Sequence, residues 1–98
     1  MTYYYYATDE GNYGPSLRGA LRKSGTLKGA LAGAYRILIY LGYGFNTVTI
    51  FDRKECKKPV RIVTVNYEGW KIAVTDMTKK DRPTYRLLSD GSEGVRIR

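Results

Sequence analysis

Apolar and polar positions along this chain change period twice, and the changes divide it into elements. Tyr3 to Thr8 open with four adjacent tyrosines and close on threonine, a composition suited to a half-buried pleated surface, and predict a first strand. Asp9-Glu10-Gly11-Asn12 reads as a turn. Gly14-Pro15-Ser16 then opens a short helix with proline at an early position, and Ser24-Gly25 ends it. Thr26 suits the cap of a second helix, in which Leu27, Leu31, Ala34, Leu38 and Leu41 recur at spacings of four, three, four and three. Ile37, Ile39 and Tyr40 widen that stripe until the last turns are apolar nearly all round, as in a helix sunk in a core. The Ile and Tyr content of Tyr35 to Leu41 also suits a strand, so that stretch has two readings.

From Thr47 the period falls to two. Strands are expected near Thr47–Asp52, Val60–Tyr67, Trp70–Met77, Pro83–Ser89 and Val95–Arg98, with Glu68-Gly69 as a tight hairpin turn and Asp90-Gly91 beginning another. Strand, helix, helix and a run of strands predict an α+β fold, with two helices packed on one face of an antiparallel sheet of about four to six strands. The 98 residues suit one small domain spanning 1–98.

The alternation sorts the cations. Val60 and Ile62 inward leave Arg61 outward; Trp70, Ile72 and Val74 leave Lys71; Tyr85 and Leu87 leave Arg86; Val95 and Ile97 leave Arg96 and Arg98. One sheet face would then collect Arg61, Lys71, Arg86, Arg96 and Arg98. A conflict sits inside this pattern. Val63 and Val65 fall on the basic face if Ile62 is buried, unless a bulge between Ile62 and Val63 reverses the register. In an up-and-down meander two connections also share one end: Arg53, Lys54, Lys57, Lys58, Lys79, Lys80 and Arg82 gather there against Asp52, Glu55 and Asp81.

The tyrosine run adds rings to these charges. Of Tyr3, Tyr4, Tyr5 and Tyr6 a strand sends two to each side, so Tyr3/Tyr5 or Tyr4/Tyr6 stays outside one core. With Tyr67, such rings suit stacking on bases, and they gain weight if the first strand pairs beside the strands bearing Arg61, Lys71, Arg86 or Arg96.

Other chemistry is thin. The chain has no histidine and one cysteine, which excludes a Ser-His-Asp triad, an imidazole metal site and a cysteine-rich zinc site within one chain. The acids are scattered over turns and strand ends, so no catalytic residue, metal or cofactor is expected. Gly42-Tyr43-Gly44 follows a helix and lacks a third glycine, which makes it a helix stop rather than a phosphate loop. Cys56 beside Lys57-Lys58 reads as a loop thiol. The second helix is too apolar to enter a major groove, which argues against a helix-turn-helix. Gly29 to Phe45 is short for a membrane span and carries Arg36, so no membrane partner is expected. A single cysteine and a tyrosine-rich, acidic N-terminal stretch give cytoplasmic as the expected location.

With a formal charge of +8, the reading that emerges is a small non-catalytic protein binding single-stranded RNA or DNA through a basic, tyrosine-bearing sheet face. The alternative is a stoichiometric inhibitor from a phage or mobile element, of the anti-CRISPR type, docking on an acidic protein or ribonucleoprotein surface of a nucleic-acid-handling enzyme. A further alternative is a homo-oligomeric assembly protein, such as a homodimer, in which Tyr3–Tyr6 extends a neighbour's sheet.

Overall fold

The computed structural model describes residues 1–8, 20–40, 45–66 and 71–98. Among them the chain forms β1 (Tyr3–Thr8), β2 (Arg22–Ser24), α1 (Leu27–Tyr40), β3 (Thr47–Phe51), β4 (Pro59–Asn66), β5 (Lys71–Asp76), β6 (Thr84–Leu87) and β7 (Glu93–Arg96). The seven strands make one antiparallel sheet in the order β2-β1-β3-β4-β5-β6-β7. The class is α+β, but with one helix and seven strands among the described residues rather than two helices and four to six strands. Arg22–Ser24, expected to finish a helix, is a short strand opposite Tyr3–Tyr5. Three residues paired on β1 gain ladder bonds that one frayed helical turn would lack. The Pro15 opening of that helix, the Gly42 stop, the Glu68-Gly69 turn, Tyr67 and Trp70 lie outside the described residues.

The helix forms where its stripe placed it. Thr26 Oγ1 accepts the Gly29 N–H at 3.0 Å, capping the first turn. Tyr35–Tyr40 is helical, because Ile37 and Leu38 continue the buried face of Ala30, Leu31 and Ala34. That face meets Tyr5, Ala7, Val48, Ile50, Val63, Ile72, Val74 and Leu87 in one core. Gly33 is what lets it sit so close, since a Cβ there would meet the Tyr5 hydroxyl. At the first turn Ser24 lies against Gly29, and Gly91, at φ +90°, lies against the Lys28 carbonyl. Segments from both margins of the sheet thus reach the start of α1, so the sheet curls round the helix. No helix among the described residues is long and apolar enough to cross a membrane.

The register resolves the conflict on β4 in favour of its valines. Val48 pairs with Val63 and Val63 with Val74, all fully buried on the helix side, while Ile62 stands on the opposite face between Thr49 and Thr75. No bulge separates Ile62 from Val63. The irregularity lies earlier: Ile50 faces Arg61 but Phe51 faces Pro59, leaving Val60 as the extra residue. Arg61 is therefore on the helix-side face, not the outer one.

Candidate functional site

Arg61 is enclosed rather than presented. Its side chain is 12% exposed and pairs with Asp76 on β5 at 2.9 Å and Glu93 on β7 at 3.2 Å. Asp76, 4% exposed in its side chain, also accepts the backbone N–H and hydroxyl of Thr78. Burial opposes ionisation of that carboxyl, but the two Thr78 hydrogen bonds and the Arg61 and Lys79 charges together hold its pKa below the ordinary carboxylate value. This cluster joins three strands and fixes the start of the β5–β6 connection. It is scaffolding for what lies above it.

The other outward assignments divide. Lys71 and Arg86 are exposed on the open face, opposite Asn66 and Ala73, as the alternation required. Arg96 lies opposite Tyr85 on the helix-side register and pairs with Asp81 at 3.0 Å, while Arg98 exchanges backbone hydrogen bonds with Thr84. Val95 and Ile97, expected inward, are 78% and 52% exposed. The cause is the register shift between Tyr85 and Leu87, which sets an extra β7 residue against β6 and breaks the alternation on that outermost strand.

The tyrosines split as a strand must split them. Tyr5 is buried under the helix and Tyr3 packs at the edge of the core. Tyr4 and Tyr6 are half-buried on the open face, where Tyr6 stacks on Phe51 with ring centres 5.7 Å apart. But β1 lies between β2 and β3, beside none of the strands bearing Arg61, Lys71, Arg86 or Arg96. Four strand spacings, about 19 Å, separate β1 from β6, so Tyr4 and Tyr6 are remote from Arg86. The rows between carry Thr8, Thr47 and Thr64, then Thr49, Ile62, Thr75 and Thr84. The open face is a threonine surface with few cations, not a basic one. No described element covers it.

What the tyrosines adjoin is the basic end. β3 to β7 form a meander, so the β3–β4 and β5–β6 connections lie at one end of the sheet. Tyr4 opposes Phe51 at that same end. Both connections are built alike. In one, the Cys56 N–H donates to the Arg53 carbonyl at 3.1 Å and Cys56 takes φ 53°; in the other, the Arg82 N–H donates to the Lys79 carbonyl at 3.1 Å and Arg82 takes φ 47°. Each turn reads cation, cation, acid, left-handed residue: Arg53-Lys54-Glu55-Cys56 and Lys79-Lys80-Asp81-Arg82. A left-handed non-glycine residue costs on the order of 1–2 kcal/mol, so both turns hold their shape against strain. Arg53, Lys54, Lys57, Lys58, Lys79, Lys80 and Arg82 are all exposed there.

Along the β3–β4 connection, reaching Met77 and Thr78 just before the second turn, lies a groove of about 660 Å³. Phe51, Pro59, Val60 and Met77 give it apolar lining, and Arg53, Lys57 and Lys58 charge it. Phe51 belongs to both regions, since its ring stacks on Tyr6 and also lines the groove. Counting charges in the sequence misses Phe51 and Met77, although an aromatic residue ending a strand before a basic turn was a visible signal. Among the described residues no group of acidic and thiol side chains is disposed to hold a metal ion. Comparison with protein-family models, curated proteins and solved structures yields no match to this chain.

Proposed function

We propose that the protein is a small, non-catalytic binder of single-stranded nucleic acid, and that it binds through the basic end of the sheet rather than through the sheet face. The carrying observation is that two like cationic turns stand at one end of the sheet, the end at which Tyr4 and Phe51 also lie, with the Arg53–Cys56 turn directly following Phe51. Phosphates are neutralised by the turns while bases stack on Tyr4 and Tyr6, each stack contributing about 1–3 kcal/mol. Fluorescence anisotropy of a labelled single-stranded oligonucleotide at increasing salt tests this. Log affinity should fall linearly with log salt, with a slope of about 0.7 per phosphate contacted. Affinity insensitive to salt would remove the charge argument.

A second reading, a stoichiometric protein-binding inhibitor of an enzyme that handles nucleic acid, is favoured by the exposed Val95 on β7 and Ile97 just beyond its end. Exposed apolar side chains on an outermost strand suit addition of a partner's strand. Capture of such an enzyme after nuclease treatment, lost in V95E/I97E, supports it; capture indifferent to that pair removes it. The assembly route through the tyrosine strand is closed at Tyr3–Tyr5, which pair with β2 on one side, while Tyr4 and Tyr5 also pair with β3 on the other.

A further inference from the structure

The groove along the β3–β4 connection differs chemically from the cations around it. A phosphate chain lying along a basic surface needs charge and no cavity. Here a recess of about 660 Å³ is present, within the range of about 300–1,000 Å³ typical of small-ligand sites. Its Pro59, Val60 and Met77 side chains offer nothing to a phosphate, but they suit a flat heterocycle, with the polarizable Met77 sulfur as a partner and the buried Phe51 presenting only a margin of its surface. Arg53, Lys57 and Lys58 border the same recess. Asp52 and Glu55 also line it. Carboxylates repel a bare anion, yet they accept hydrogen bonds from a sugar hydroxyl or an exocyclic amino group. A ligand must therefore bring an apolar ring, donors and a negative charge together.

We propose that this groove is a pocket for a single nucleotide, holding the base against Met77, Pro59 and Val60, the phosphate near Arg53, Lys57 and Lys58, and the sugar or base donors near Asp52 and Glu55. For its ligand class the proposal rests on the single-strand reading, in which the occupant is one nucleotide of the bound strand. Phe51 then makes the pocket continuous with Tyr6 and Tyr4, along which the neighbouring bases lie.

The test uses the full chain, amide NMR, adenosine 5′-monophosphate and inorganic phosphate. The nucleotide should saturate one site, with shifts confined to residues 51–60 and 76–79, and inorganic phosphate should bind at least about tenfold more weakly, 1.4 kcal/mol or more. Met77→Trp, which fills the groove, should abolish nucleotide binding. Should Met77→Trp not fold, K57E/K58E, altering exposed loop positions, decides in its place and should weaken the nucleotide at least about tenfold. Equal affinity for phosphate and nucleotide, shifts elsewhere, or indifference to both variants overturns the pocket. Oligonucleotide binding without nucleotide binding also overturns it and leaves the single-strand reading standing. Nucleotide binding without oligonucleotide binding does the reverse.

Discussion

Arg61 and the cations of the two turns are the same chemistry put to opposite uses. Arg61 sits on a strand, is closed in by the curl of the sheet and has both its charge partners within 3.2 Å. Arg53, Lys54 and Lys80 sit on turns and are exposed. Removing Arg61 takes from Asp76 and Glu93 the guanidinium they share in a largely buried site, whereas removing an exposed, unpaired lysine leaves only water where the charge stood. Structure depends on the first set, and the proposed binding on the second. The lesson is that a cation's strand position says little until the register is known, while a cation on a tight turn is outward whatever the register.

The sharpest way to break this contrast is Arg61→Met. It should cost about 3–5 kcal/mol in urea unfolding, with unchanged oligonucleotide affinity in the fraction that stays folded. A loss near that of a surface substitution would dissolve the distinction. Next in size is Gly33→Ala, which sets a methyl group against the Tyr5 hydroxyl and should cost about 1–3 kcal/mol of stability by overpacking. On the binding side, Tyr4→Ala should weaken single-strand affinity by about 1–3 kcal/mol if a base stacks there, with little change in salt slope. The K54A/K80A variant should do the converse. Its salt slope should flatten by about 0.7 for each lysine that met a phosphate, with stability unchanged within about 0.5 kcal/mol.

The smallest expected effect is in acid. The pKa of Asp76 is lowered by folding, so its contribution is fully present above the unfolded-chain value of 3.8 and drains away as pH falls through the lower folded-state value. Asp76→Asn should therefore unfold with a flatter acid limb below that pH. Equal limbs for the two proteins would show that the cluster does not depend on this carboxylate's charge.

Particular elements show what was legible. The α1 stripe from Leu27 to Ala34 and its Thr26 cap were plain because helix period and cap chemistry are local, whereas Tyr35 to Leu38 kept two readings until their burial against the sheet made them helix. β1 and β3 to β6 were plain for the same reason, apart from their ends. Arg22–Ser24 was not, because its strand state depends on lying beside Tyr3–Tyr5, a contact remote in sequence. Val60 and the β6–β7 shift were not either. A bulge is decided by how two strands fit, and each one inverted the inward and outward assignments beyond it: Arg61 went in, Val95 and Ile97 came out.

The sequence by itself determined the class, the helix, the alternation within each regular strand, the lack of histidine chemistry and the two basic turns, since all of these follow from period, composition and local turn residues. The tertiary structure decided which strands are neighbours, and through that everything about the tyrosines. Placing β3 between β1 and β4 separates Tyr4 and Tyr6 from Lys71 and Arg86 and brings them to Phe51 and the end where the two turns stand. Strand order is a property of the packed sheet, set by how it closes over α1, and no single strand carries it.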